Sequence, residues 1–440
     1  LSPSLSKHKD LVEGKLLNGL AYKILPNNVP AGRFEAHLEI LSGSAHELET
    51  QQGMAHLLEH VAYMGSPKRQ LISGTGSRTN AYTDFHHTVF FAACPINTPD
   101  NFWKKPMLPM ALDALLDVMT CKVDDNRLEK ERAAVLSEAS MVNKMEYRVE
   151  CQILSALHSE NRISVRFPIG KENQIKTWTK ENLQLYHDIH YRPDNAVLFI
   201  VGDVDIPSTI ATIQEKFGNL RPKLDTRKYL RDSGEYPIVS MGDVWRHFPP
   251  VTHKWSCPVE EAASLLPAAL TVATAPTPTT PSTTAMATPS TSTIPTLRLF
   301  QHELLQAVSF HLFAKRPIEA ITTEAALRRD IMRRMALSAL QIRLNVQQRQ
   351  DPLFTFVDFN QLNWPREGCA VCSLDLTTDT TSWREAIILV LREIRRLGLY
   401  GLTESELVRY KQASLSEAVH IAAQSEQRGN EDLLGKFLLL

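Results

Sequence analysis

Gly53-Met54-Ala55-His56-Leu57-Leu58-Glu59-His60 is the stretch on which the reading of this chain turns. Its apolar residues, Met54, Leu57 and Leu58, followed by Val61, recur at helical spacing and predict a helix from Gln51 to Met64. On that helix His56 and His60 stand one turn apart on one face, with Glu59 at its edge. Two imidazoles so spaced can grip one zinc ion, and a carboxylate beside them can take a proton from an attacking water. Five residues alone fit equally well an amphipathic helix whose histidines are packed in the core or solvated.

A zinc site needs a third protein ligand. The segment from Asn126 to Lys144 is rich in Ala, Leu, Glu and Arg and reads as a helix, with Glu131 and Glu138 two turns apart on one face. One of them can ligate the metal while the other hydrogen-bonds a ligand histidine. The order His-x-x-Glu-His followed at this distance by Glu-x6-Glu resembles the pitrilysin-type (inverzincin) zinc metallopeptidases. That resemblance implies one Zn²⁺ held by His56, His60 and Glu138, Glu59 as general base, and Glu131 as the partner of a ligand histidine. It also implies that Asn80, Ala81 and Thr83 belong to an edge strand on which an extended substrate adds itself by main-chain hydrogen bonds.

Composition sets the frame. The 440 residues carry a formal net charge of −1, with 22% charged and 43% hydrophobic residues. This is the balance of a protein with sizeable cores, and it lacks the basic excess of a nucleic-acid binder. No apolar run approaches the roughly 18 residues of a membrane span. Six cysteines, at 94, 121, 151, 257, 369 and 372, are sparse enough to suggest a reducing compartment. Cys369 and Cys372 form a lone Cys-x-x-Cys in a strand-like run and read as core thiols.

Along the chain, the residues from 1 to 13 read as a stub and those from 14 to 220 as the zinc-binding domain. Within it, Phe34 to Ser42 alternates as a half-buried strand, Asn80 to Phe91 reads as one strand, and Ala196 to Asp203 reads as a buried strand. His86 and His87, taken as neighbours on that second strand, face opposite ways and read as solvated. Residues 221–296 read as a linker with a disordered Thr/Pro/Ala-rich insertion. Residues 297–440 read as a second unit, with helices over His302–Phe313 and Ile318–Val346, strands over Phe354–Phe359 and Cys369–Leu376, and helices over Ser382–Leu397 and Thr403–His420. No His-x-x-Glu-His occurs there. Thr403 and Glu406 are spaced as a capping box.

The fold class expected is α+β: two related pitrilysin-type domains, each a mainly antiparallel sheet packed with helices, the second metal-free and incomplete. Three stretches, Asn80 to Phe90, Glu146 to Leu154 and His158 to Gly170, are similar to the transit-peptide-processing branch of the family in plants and green algae. The implied activity is endoproteolytic removal of transit peptides from precursors imported into the chloroplast stroma. A non-catalytic scaffold on the same fold and a mitochondrial-type presequence peptidase are the alternatives. Leu1 in place of Met, and a helical pattern cut at Leu440, suggest a partial chain. Members of this branch carry a C-terminal half that closes the substrate chamber, which makes that half an expected partner.

Overall fold

The structure, a computed structural model, describes residues 3–5, 8–98, 105–223, 225, 253–256, 297–350, 352–424 and 427–438. Alternating apolar and polar residues near the N-terminus form three strands: β1 (Val12–Lys15), β2 (Ala21–Pro26) and β3 (Arg33–Ile40). The metal-motif helix α1 (Met54–Glu59) runs without a break into a π-helical turn over His60–Met64. After it come α2 (Pro67–Leu71), β4 (Arg78–Thr83), β5 (Thr88–Pro95), α3 (Met107–Met119), α4 (Asp125–Val142), α5 (Met145–Leu157), α6 (Glu172–Ile175) and α7 (Lys180–His190). β6 (Ala196–Gly202) and α8 (Ile206–Phe217) complete this series.

Six strands form one sheet in the order β1-β2-β6-β3-β5-β4. Every pairing is antiparallel except β2 with β6. On β3, Phe34, Ala36, Leu38 and Ile40 bury one face against Leu57, Leu58 and Val61 of the metal segment and Leu112 and Leu115 of α3. Among the described residues β4 is an edge strand, with β5 as its one neighbour in the sheet. The helix expected from Gln51 starts later, at Met54, because Gly53 holds a left-handed φ of 99° that ends helical geometry there.

The second series has β7 (Val308–Pro317), α9 (Glu324–Gln350), β8 (Phe356–Trp364), β9 (Cys369–Thr378), α10 (Trp383–Tyr400), α11 (Glu404–Ala423) and α12 (Asn430–Leu438). Its sheet is antiparallel in the order β7-β9-β8, packed through Leu374 and Leu376 on Leu340, Leu344 and Val390. The helix expected over His302–Phe313 is not formed. Val308 onward pairs with β9 along its whole length, and that partner outweighs a weak helical pattern. The expected capping box is present, Thr403 N–H donating to Glu406 Oε2 at 2.8 Å. Arg343 clamps the same carboxylate with two bonds of 2.7 Å.

Contacts divide the chain into a unit of Ser4–Thr252 with Leu415–Leu440, and another of Leu1–Pro3 with His253–Ser414. The boundaries therefore differ from the expected 1–13, 14–220 and 297–440. Val12 and Glu13 of the supposed stub already pair with Ile24 and Lys23 in the sheet. Leu434 of α12 is buried with Leu25, Val89, Phe199 and Val201 on the first sheet, which groups the C-terminal helix with that sheet. The expected linker and insertion, 221–296, lie almost wholly outside the described residues. No described helix is long and apolar enough to cross a membrane.

The stretch from Asn80 to Phe91 is a hairpin rather than one strand. Asp84 turns the chain by accepting the backbone N–H groups of His86 and His87, both at 2.7 Å. His87, expected to be solvated, is 4% exposed. Its Nδ1 bonds Glu39 on β3 and its Nε2 lies 2.7 Å from Asp84, with the ring of Tyr82 edge-on to it. Burial pulls the imidazole pKa down, but the bonds to Asp84 and Glu39 outweigh it and hold the value above 6.5. A raised imidazole stabilises the fold fully below its ordinary value, and that contribution fades as pH climbs through the folded one. His87→Gln is therefore expected to be most destabilising below about pH 6.5, with the gap to wild type narrowing at alkaline pH. Urea midpoints of both proteins across that range measure it, and a gap that widens with pH would refute the clamp.

Candidate metal centre

His56 lies in the first turn of α1, and His60 begins the π-helical turn one helical turn later. The rings meet edge to face with centroids 4.9 Å apart. α4 supplies the opposing wall. Asp124 caps its start by accepting the N–H of Arg127 at 3.0 Å. Arg132 ties it down through bonds to the carbonyls of Ile175 and Trp178, the latter at 2.6 Å.

With both helices fixed, His56, His60 and Glu138 bring ligand atoms within 4.8 Å of one another. Glu138 Oε2 stands 3.6 Å from His56 Nε2 and 3.5 Å from His60 Nε2. Ligands of a tetrahedral ion bound at about 2.0–2.1 Å stand about 3.3–3.4 Å from each other, so this spacing suits three donors around one small cation. Glu131, 6% exposed, places Oε2 3.5 Å from the other nitrogen of His60, Nδ1. Among the described residues His56 has no such partner, and its Nδ1 is buried without a hydrogen bond to them. Burial, helped by His60, lowers the His56 pKa to about 4 and keeps it in the neutral form that a metal needs. Two imidazoles and a carboxylate are a donor set that fits a zinc-like ion.

Glu59 is 3% exposed and accepts a hydrogen bond from Thr83 Oγ1 at 2.8 Å. Burial pushes its carboxyl up to about 7; the Thr83 bond opposes the shift and the charge of Glu138 adds to it. Thr83 thus joins the metal helix to the end of β4. Ala81 faces the core beneath the same helix, while Asn80 is exposed. Asn80, Ala81 and Thr83 sit on the edge strand beside the His/Glu cluster, whereas His86 and His87 stay in the hairpin turn. Two buried groups near the site had no signal in the sequence. Glu47, in the loop before the metal motif, bonds the start of α1. The Tyr191 hydroxyl is pushed well above 10 by burial and then by the Glu59 charge.

Residues 23–166 match the family described as Insulinase (Peptidase family M16), and residues 177–259 match the Peptidase M16 inactive domain. The chain is 39% identical over 465 residues to the chloroplastic stromal processing peptidase of Pisum sativum, covering 99% of this chain and 34% of that protein. The corresponding protein of Arabidopsis thaliana gives 39% over 466 residues with the same coverage. The probable zinc protease PqqL of Haemophilus influenzae is 31% identical over 235 residues, half of this chain and 25% of that one. The chain thus spans about a third of the length of the plant relatives. Among solved structures, the periplasmic protease PqqL from Escherichia coli aligns with a TM-score of 0.73 at 17% identity, over 99% of this chain and 43% of that one. Pitrilysin aligns at 0.55 and 15%, over 92% and 38%. Those identities speak to the fold alone. All five clustered residues, His56, Glu59, His60, Glu131 and Glu138, fall within residues 23–166, the segment that matches the insulinase family, peptidase family M16.

Proposed function

We propose that this chain carries the catalytic metal centre of a zinc metalloendopeptidase that removes transit peptides from precursor proteins in the chloroplast stroma. The observation that carries the proposal is the convergence of His56, His60 and Glu138, with Glu59 beside them and bonded to the edge strand. The substrate class and the compartment rest on the likeness to relatives named as chloroplastic stromal processing peptidases.

Zinc held by His56, His60 and Glu138 would lower the pKa of a water toward neutrality and polarise a peptide carbonyl. The protein's own groups do the rest. Glu59 accepts the proton of the attacking water as its oxygen bonds the carbonyl carbon, then returns that proton to the leaving amine as the C–N bond breaks. Thr83 holds the Glu59 carboxylate in place from the strand side. Glu131 orients His60 through Nδ1, leaving Nε2 turned toward Glu138. The open edge of β4, at Asn80, Ala81 and Thr83, accepts an extended peptide by main-chain hydrogen bonds and lays it beside Glu59.

Glu59→Gln is expected to retain zinc and lose peptidase activity, because an amide cannot take the proton while the three ligands are untouched. Metal content and cleavage of a precursor, measured in a protein of the relatives' full length, test this. Activity within about tenfold of wild type would remove Glu59 from the base role.

The two α4 carboxylates are separable by metal affinity in this chain. Glu138→Gln should abolish tight zinc binding, whereas Glu131→Gln should weaken it about 10- to 100-fold, the range of a residue that orients a ligand. Competition with a chromogenic chelator reads both. The reverse order would move the ligand role to Glu131.

A further inference from the structure

We propose that Glu47 is a positioning residue of the metal centre, holding the start of the His56–His60 helix in the one place and rotation that let its ligands converge. The proposal rests on the zinc-site reading above and adds a residue that this reading does not use.

A helix begins with unsatisfied N–H groups, usually capped by a short polar side chain at the N-cap. Here the N-cap is Gly53, which has no side chain to offer. Nor can it gain one. A Cβ on Gly53 would lie 2.8 Å from the Cα of Gly170, and a Cβ on Gly170 would lie 2.3 Å from the Cα of Gly53. The close passage of these two backbones therefore excludes the ordinary cap. Its work falls to a carboxylate upstream in the loop. Glu47 Oε2 accepts the N–H of Gly53 at 2.9 Å, and Oε1 accepts that of Ala55 at 2.8 Å.

Two bonds to two amides constrain more than one bond does. They fix the height of the first turn and also its rotation about the helix axis, and Ala55 directly precedes His56. Glu47 itself is fully buried. Its loop is anchored on both sides. Ser44 and Ala45 donate their N–H groups to the carbonyls of Asp84 and Phe85, both at 2.9 Å, in the hairpin tip next to Thr83. Arg166, 5% exposed, donates to the Glu47 carbonyl at 3.2 Å and to the Glu49 carboxylate at 2.8 Å. One short loop thus references the metal helix and the edge hairpin to each other. Burying this carboxylate is costly; burial pushes its pKa up to about 8 against the pull of the Ala55 and Gly53 amides. A group kept at that cost, with both oxygens spent on the metal helix, fits a role in geometry.

The test uses the complete chain with Glu47→Gln, Glu47→Asp and, as a control on the same loop, Glu49→Gln. Zinc affinity is measured by chelator competition, ligand geometry by the visible absorption of the cobalt-loaded protein, and folding by thermal unfolding of the metal-free form. Gln keeps the volume of Glu47 but faces one amide with a second donor. It is expected to weaken zinc binding about 10- to 100-fold and to change the cobalt bands in a protein still folded at the assay temperature. Asp keeps the charge but withdraws it by one methylene, and should fall between Gln and wild type; it serves if the Gln variant does not fold. Glu49→Gln removes the charge only at the solvent-exposed end of the Arg166 pair and leaves the Arg166 bond to the Glu47 carbonyl in place, so it should bind zinc within about twofold of wild type. Wild-type affinity and an unchanged cobalt spectrum in the Glu47 variants would overturn the proposal, as would an equal loss in Glu49→Gln. A wild-type chain that binds no zinc would overturn the metal-centre reading itself, and this inference with it.

Discussion

His60 stands between two carboxylates, Glu131 at one ring nitrogen and Glu138 at the other, and the first unit is built to make that arrangement possible. Charged and hydrogen-bonding groups buried together are tolerated only when each has a partner of fixed geometry. Neither helix could supply that by itself. α1 is buried along its whole length and takes its position from the sheet beneath, while α4 is pinned through Arg132 to the carbonyls of Ile175 and Trp178. The convergence of the donors is thus a property of the packing, and the sheet that carries the packing also ends in the open strand beside it.

That strand is as constrained as the metal helix. A free edge invites unwanted pairing, and proteins usually blunt it. Here β4 is held at its far end by the turn from Asp84 to His87. Glu39 reaches that turn from the polar face of β3, the face opposite Leu38 and Ile40. A buried His–carboxylate cluster is a poor way to gain stability compared with packed apolar groups. Its value lies in fixing where the hairpin ends, and so where Thr83 meets Glu59.

The parts of this design that are local in sequence were legible there. A spacing of four between His56 and His60, or of seven between Glu131 and Glu138, becomes a shared face as soon as a helix forms, and apolar spacing predicts the first helix and composition the second. The Thr403–Glu406 cap was legible for the same reason. What escaped depends on partners distant in the chain. Val308 to Pro317 carries a mixed pattern, and pairing with β9 makes it a strand. His87 reads as a solvated strand residue until Glu39 arrives from another strand. Residues 430–438 do pattern as a helix, but nothing in them says that Leu434 will settle on the first sheet. Glu47 looks like solvated acid, because the reason for its burial is the contact of Gly53 with Gly170, far apart in the chain.

The π-helical turn at His60 is the clearest case of local geometry set by competing demands. A regular helix gives one face to each neighbour. This segment must turn His56 and His60 toward α4 and still bury Val61, Ala62 and Tyr63 in succession. Tyr63 adds a requirement of its own, since its hydroxyl donates to the Phe91 carbonyl on β5 at 2.8 Å and its ring meets Phe90 edge-on. Widening the helix by one residue per turn just after the ligand face lets the following residues rotate toward the sheet without moving the histidines. π-turns concentrate at functional sites because they resolve conflicts of this kind. The amide of His60 itself still bonds in the narrower pattern, reaching the carbonyls of His56 and Leu57, so the widening begins only after it. The second histidine of the motif is therefore also the residue at which the helix stops serving the site and begins serving the core.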